Sequence, residues 1–253
     1  MPGWDPIHHR PWPLPTAPWV LRQDWLDLAF LHWRADADLL QSLLPSGLRL
    51  ERFDGHAYVG IVPFWMSGVR PRLLPPVPGL SRFPEVNVRT YVTDGERPGV
   101  WFFSLDTPSR LAVAAGRGLF GVPYRPARQR IEDGSQRRYR SWRPELELDV
   151  SVSLGPACPA PPGSLEHFLT ERYCFHAVRR DRRLRADVHH APWPLHRAEA
   201  TVAVNGLLDD YGVGDPLRPD LVHASPGVEV IAWWASPVAP QLASPPSSGD
   251  TPG

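Results

Sequence analysis

From Glu85 to Val92 the chain reads EVNVRTYV. Successive residues of a strand point to opposite faces of its sheet. Val86, Val88, Thr90 and Val92 therefore fall on one face, and Glu85, Asn87, Arg89 and Tyr91 on the other. By pattern alone the polar row reads as the solvent side of a half-buried sheet.

The surrounding segments are also mostly strand-like. Trp25–Phe30 alternates, Val100–Leu105 (VWFFSL) is apolar on both faces and reads as a central strand, and Glu147–Leu154 places Leu148, Val150, Val152 and Leu154 together. Asp54-Gly55 sits between two apolar runs and predicts a tight hairpin. Asp133-Gly134 predicts another hairpin within 128–142. Further strands are expected over 173–178, 184–188, 198–205 and 228–234. Helices are short. Asp36 caps one whose apolar face is Leu39, Leu40, Leu43 and Leu44; a second, rich in alanine, runs from about Pro108 to Gly121; a third starts near Ser164 with Leu165, Phe168 and Leu169 inward. These elements predict an α+β, mostly β fold, a large curved and mostly antiparallel sheet with a few short helices.

Residues 1–18 are proline-rich and predict an extended arm; 19–235 form the single folded domain; 236–253, rich in proline and serine, predict a disordered tail. Neither a signal-peptide core nor an apolar run long enough to span a membrane is visible. Two cysteines, Cys158 and Cys174, are too few for a disulfide framework and fit reduced thiols in the cytoplasm. The 27 basic residues balance 27 acidic ones, which argues against a non-specific nucleic-acid binder. All 27 are arginine, so no side chain can form a Schiff base.

His32-Trp33, Leu43-Leu44-Pro45-Ser46-Gly47-Leu48, Gly60-Ile61-Val62-Pro63-Phe64, Glu85–Val92, Gly99–Asp106 and Gly227–Trp233 together resemble the YqjF-like family. The resemblance spans about residues 20–235. It implies the acetoacetate-decarboxylase-like fold, a curved sheet or cone-like barrel around a central pocket, and with it a possible homo-oligomer. In the decarboxylases a glycine-arginine helix leads into a Gly-x-Pro-Lys-Lys turn whose first lysine is the nucleophile. Here Gly116-Arg117 leads into Gly121-Val122-Pro123-Tyr124-Arg125. The frame is kept, but Tyr124 and Arg125 stand where the two lysines would be, so decarboxylation through an imine is excluded. Phe83-Pro84-Glu85 is similar to the approach to an inward-facing glutamate in those enzymes. The resemblance thus turns the polar row of the strand toward a cavity.

The candidate set is Glu85 and Tyr124 as catalytic groups, with Arg89, Asn87, Tyr91, Arg125 and Arg117 as ligand-binding residues. Arg89 suits a carboxylate or carbonyl oxygen, Glu85 a proton-transfer role and Tyr124 donation to an enolate-like oxygen. The alternative is a structural Glu85–Arg89 ion pair in a filled core. Three function classes stay open: a binder of a small oxo- or carboxylate compound, an enzyme using non-imine acid/base chemistry, and a structural or partner-binding protein. No cofactor is implied. His189, His190 and His196 flank a Pro-Trp-Pro loop at a spacing that matches no zinc signature, so no metal is expected. His32 reads as a hydrogen-bonded sheet histidine, 179–183 as an exposed basic hairpin tip, and Trp65, Trp101 and Trp193 as pocket walls.

Overall fold

Short apolar and alternating runs broken by proline and glycine become strands, and the computed structural model describes residues 8–77 and 81–238. The strands are β1 (Leu21–Ala35), β2 (Arg49–Leu50), β3 (Ala57–Pro71), β4 (Phe83–Thr93), β5 (Pro98–Thr107), β6 (Tyr124–Pro126), β7 (Arg128–Glu132), β8 (Arg137–Arg143), β9 (Leu146–Ala157), β10 (Cys174–Arg179), β11 (Arg182–His190), β12 (His196–Asn205), β13 (Leu221–Ala232) and β14 (Ser236–Pro237). The α-helices are α1 (Ala37–Ser42), α2 (Arg110–Ala115), which continues as a π-helical turn over Gly116–Phe120, and α3 (Leu165–Thr170). None of the described helices is long and apolar enough to cross a membrane.

All strands join one mixed sheet in the order β14-β11-β10-β5-β4-β3-β1-β13-β12-β9-β8-β7, with β2 on β4 and β6 on β5. The β5–β10 and β5–β6 pairings are parallel. β11 also pairs with β13, from Val188↔Ala232 to His190↔Val230. This second pairing returns the path β11-β10-β5-β4-β3-β1-β13 on itself and gives the curved sheet an inside and an outside. The strands β8, β9 and β12 cover part of the outside. There Val86 and Val88 of β4 pack with Ala29, Leu31, Val59, Ile61, Leu148, Val150 and Val152 in one apolar cluster. Both faces of β4 are therefore buried, from Phe83 to Val92. Its valines are taken up by the outer core, so its polar row faces inward and not to solvent.

Several expectations are corrected. Of the apolar face drawn for α1, only Leu40 is buried; Leu39 and Leu43 are exposed, because the helix covers the sheet edge with one turn only. The Asp54-Gly55 turn forms with both residues at positive φ, but the hairpin is a single bridge between Phe53 and His56. The preceding strand β2 pairs with β4 instead. Leu154 leaves the apolar face of β9 and is exposed. Ser109, not the Pro108 turn, caps α2, its side chain accepting from Ala112 N–H. Ser236–Pro237, placed in the tail, pair with Leu184 and Arg185 of β11, and Val238 N–H donates to Arg183 O at 3.0 Å; residues 239–253, like residues 1–7, lie outside the described residues. The described part of the N-terminal arm, with turns and bends over residues 8–12, is docked on the domain: Arg10 and Trp12 bond Asp187, and Trp233 Nε1 donates to Ala17 O at 2.7 Å.

Candidate functional site

The strands of the closed path enclose a cavity of about 660 Å³. Its wall is mainly apolar, with Trp25, Phe30, Phe64, Phe83, Phe102 and Trp193 among the larger side chains. Into it project Glu85, Asn87 and Arg89, three consecutive inward positions of β4, and Tyr124 of β6. A few correctly spaced polar groups in an apolar concavity are the usual form of a small-molecule site.

Tyr124 arrives by a local device. β6 lies parallel to β5, with Tyr124 opposite Leu105. Gly121, at φ 71°, ends the π-helical turn in the left-handed region and turns the chain back. Gly116 is buried directly under the Tyr124 ring, and a Cβ there would overlap the ring carbons. The tyrosine hydroxyl donates to Glu85 Oε2 at 2.5 Å. Burial pushes the Glu85 carboxyl up from 4.5 to about 7, against the hydrogen bonds of Tyr124 and Asn87, which favour its charged form, and with a small upward push from Asp106. The Tyr124 phenol is held well above its ordinary 10, by burial first and by the neighbouring Glu85 second.

Arg89 is buried and does not pair with Glu85. Among the described residues no carboxylate lies within salt-bridge distance of it. One Nη2–H donates to Leu169 O at 3.1 Å, while Nε has no partner. Its guanidinium stacks over Phe30 and Tyr91, at 5.4 and 5.6 Å from the ring centroids. Oδ1 of Asn87 is likewise buried without a partner. The site therefore combines a half-ionised carboxyl near neutral pH, a phenol bound to it, and a guanidinium with unfilled donor capacity.

The remaining candidates separate from this group. Tyr91 shares the face of Glu85 but lies past the cavity, in a cluster with Tyr58, Val100 and Leu169. Its hydroxyl is engaged by His32 Nε2 at 2.7 Å, and His32 is the hydrogen-bonded sheet residue expected of it. Arg117 and Arg125 are exposed and do not line the cavity. Arg117 Nε donates to Tyr124 O at 2.7 Å and so braces the turn from outside. Trp193 is a wall, but Trp65 and Trp101 are not; Trp25 and Trp234 take their place. His189 and His190 end β11 and are not loop residues; His196 begins β12. The 179–183 segment is an exposed hairpin tip, with Arg180 and Asp181 at positive φ.

Sequence reasoning missed Arg172, Thr170, His190 and Gln23, which also line the cavity. Arg172 is ion-paired with Glu51, stacks on Phe168 and Tyr91, and so is already neutralised, unlike Arg89. These residues reach the cavity from elements distant in sequence, and no local period marks them.

Comparison with known proteins agrees with this fold. The DUF2071 family, described as an uncharacterized conserved protein, matches residues 22–229. The chain is 38% identical over 225 residues to the uncharacterized protein YqjF of Bacillus subtilis, covering 87% of this chain and 93% of that protein. Among solved structures it is similar to an acetoacetate decarboxylase-like enzyme from Sphingomonas wittichii RW1, with a TM-score of 0.62, 15% identity, and 88% of this chain and 94% of that one covered. The acetoacetate decarboxylase of Legionella pneumophila matches with a TM-score of 0.61 and 13% identity, over 92% of this chain and 94% of that one. The enduracididine biosynthesis enzyme MppR, complexed with pyruvate, matches with a TM-score of 0.54 and 16% identity, over 88% and 89% of the two chains. At these identities the structures establish the acetoacetate-decarboxylase-like fold.

Proposed function

The chain belongs to the uncharacterised DUF2071 family, and we propose that it binds a small carboxylate or oxo acid with an apolar body in the central cavity, Arg89 holding the oxyanion. The observation that carries this reading is Arg89 itself, a buried guanidinium on an apolar cavity wall with no carboxylate partner among the described residues. A buried charge without a counter-charge is strongly unfavourable, and a ligand anion supplies one. The planar fork of arginine suits two oxygens of one carboxylate. The apolar wall suits the rest of the molecule, each buried methylene adding about 0.8 kcal/mol, or about four-fold in affinity. MppR, which shares the fold, has been solved with pyruvate, an oxo acid of this class. Among the described residues Glu85 and Arg89 form no ion pair with each other, which supports a ligand site over a purely structural role. The two free, buried cysteines fit a reducing, cytoplasmic setting.

A second reading is favoured by the 2.5 Å bond between Tyr124 and Glu85. A carboxyl that titrates near 7 exchanges protons efficiently at neutral pH. On an oxo acid anchored by Arg89, Glu85 removes or returns a proton next to the carbonyl, and Tyr124 hydrogen-bonds the oxygen on which charge develops. This is lyase- or isomerase-type chemistry without an imine, as the absence of lysine requires.

The test is calorimetric titration of the purified chain with a series of 2-oxo acids and simple carboxylates of increasing chain length, beginning with pyruvate. Affinity is expected to rise with chain length and to fall at least ten-fold in Arg89→Met. A series in which nothing binds, or in which Arg89→Met binds as well as wild type, overturns the proposal. Exchange of the C3 protons of a bound oxo acid in D2O, lost in Glu85→Gln while binding persists, separates the enzyme from the binder.

A further inference from the structure

Away from the cavity, three elements bring together a thiol, a carboxylate and an imidazole. Cys158 directly follows β9, and its N–H is fixed to Leu195 O at 2.7 Å. Glu166 lies in the first turn of α3, which Ser164 caps by accepting from His167 N–H. His223 lies on β13, opposite Phe30 of β1 and Arg197 of β12. One donor atom from each of Cys158, Glu166 and His223 lies within 4.8 Å of the other two.

These donors are not committed elsewhere. Among the described residues none of the three side chains makes a hydrogen bond or salt bridge outside the cluster. Cys158 and His223 are buried, 6% and 4% exposed, and among the described residues His223 Nδ1 has no hydrogen-bond partner. Buried polar atoms are nearly always paired, so a buried histidine with an unpaired ring nitrogen, grouped with a thiol and a carboxylate that have no other partner among the described residues, calls for a ligand that accepts all three.

We propose that Cys158, Glu166 and His223 form a three-residue binding site for a zinc-like divalent transition metal, with solvent in the fourth position. The donor set selects the class. A thiolate and an imidazole are poor ligands for magnesium or calcium, and a mixed sulfur, nitrogen and oxygen set suits zinc or cobalt. Around tetrahedral zinc, with bonds of about 2.0–2.3 Å, donors sit about 3.3–3.5 Å apart. Closing from 4.8 Å therefore needs movements on the order of 1 Å, which the partly exposed Glu166 side chain can supply by rotation. The charges balance as well: one thiolate and one carboxylate neutralise the dication, and the imidazole binds in its neutral form. On binding, the sulfur–metal bond replaces the S–H bond, and the thiol proton leaves to solvent. Glu166 is the partly exposed member, so the open coordination position faces that side. The site differs from the histidine group weighed in the sequence, because its members span 65 residues of chain, from Cys158 to His223, and meet only through the β-sheet and α3. The same helix carries the Leu169 carbonyl that accepts from Arg89, so metal binding also fixes one wall of the cavity.

The experiment uses the full chain, stripped with a chelator and titrated with Zn²⁺ and Co²⁺. The expected result is one metal per chain, a thiolate-to-cobalt charge-transfer absorption in the near ultraviolet for the Co²⁺ form, and a higher melting temperature with Zn²⁺. Cys158→Ser abolishes the absorption, Glu166→Gln weakens Zn²⁺ binding at least ten-fold, and Cys174→Ser changes neither. Circular dichroism reports whether each variant is folded; if Cys158→Ser is not, the partly exposed Glu166→Gln decides. Absence of the charge-transfer band in wild type, its persistence in folded Cys158→Ser, its loss in Cys174→Ser, or unchanged Zn²⁺ affinity in Glu166→Gln overturns the proposal.

Discussion

The Tyr124 hydroxyl donates to Oε2 of Glu85 at 2.5 Å, tying the short strand after the π-helical turn to the first polar inward position of β4. That bond favours the carboxylate form of Glu85 and opposes the larger effect of burial. Tyr124→Phe removes it, so the Glu85 pKa is expected to rise above its value of about 7. Infrared difference spectra of the carboxyl band across a pH series, with Glu85→Gln as the blank, measure the shift. A fall in pKa, or none, would show that the hydroxyl does not stabilise the charged carboxylate.

Glu85 also links stability to pH. Its folded pKa, about 7, exceeds its ordinary 4.5, so between these values the folded chain holds more of this proton than the unfolded chain does. Stability from this group is therefore full below about pH 4.5 and lost as pH rises through about 7, a total of about 3 kcal/mol. The buried His32, His190 and His223, all held below 6.5 by burial first, act in the opposite direction in mildly acidic solution. Comparing wild type with Glu85→Gln cancels their contribution. Urea unfolding at pH 5 and pH 8 should show the variant gaining on wild type at the higher pH. An unchanged difference between the two proteins would mean that Glu85 is not buried as its position on β4 requires.

Gly116 is required by the Tyr124 ring packed against it. Gly116→Ala places a methyl inside that ring's volume, where the helical backbone on one side and β6 on the other leave little room to yield. A destabilisation of about 1–3 kcal/mol is expected, together with loss of the Tyr124 bond and hence the same upward shift of Glu85 as in Tyr124→Phe. Denaturant unfolding and the carboxyl titration check both parts. Gly118, which has open space at the Cβ position, serves as the control: Gly118→Ala should leave Glu85 untouched.

The period-2 pattern of EVNVRTYV was sufficient to put Glu85, Asn87 and Arg89 on one face, because side-chain alternation is a local property of the backbone. It was not sufficient to say which face met water. That depended on β8, β9 and β12 folding over the outside of β4, a contact between segments roughly 50 to 115 residues apart. The same limit explains Tyr91, which obeys the alternation yet lies past the cavity because His32, from β1, holds its hydroxyl. Arg117 and Arg125 matched a motif frame, but their side chains leave the turn on its solvent side. Arg172, two residues past α3, and His190, at the end of β11, carried no local pattern that pointed to the cavity. The closing of the sheet by β11 and β13 was equally invisible, since neither strand's sequence names its second partner.

Arg89 offers the sharpest contrast between a pocket residue and a structural one. If it were half of a buried ion pair, removing it would strand the partner's charge and destabilise the fold by about 3–5 kcal/mol. Among the described residues it has no carboxylate partner; it bonds the Leu169 carbonyl, lies over the Phe30 and Tyr91 rings and interacts with the Tyr91 hydroxyl. Arg89→Met keeps most of the side-chain length and the aromatic contacts and removes a desolvated charge. The expected outcome for the ligand-free chain is a stability within about 1 kcal/mol of wild type, or higher, because relief of the buried charge offsets the lost hydrogen bond. Urea unfolding of both proteins at pH 7, without added carboxylates, makes the measurement. A loss of several kcal/mol would place Arg89 in the framework of the sheet and remove the main support for an anion in the cavity.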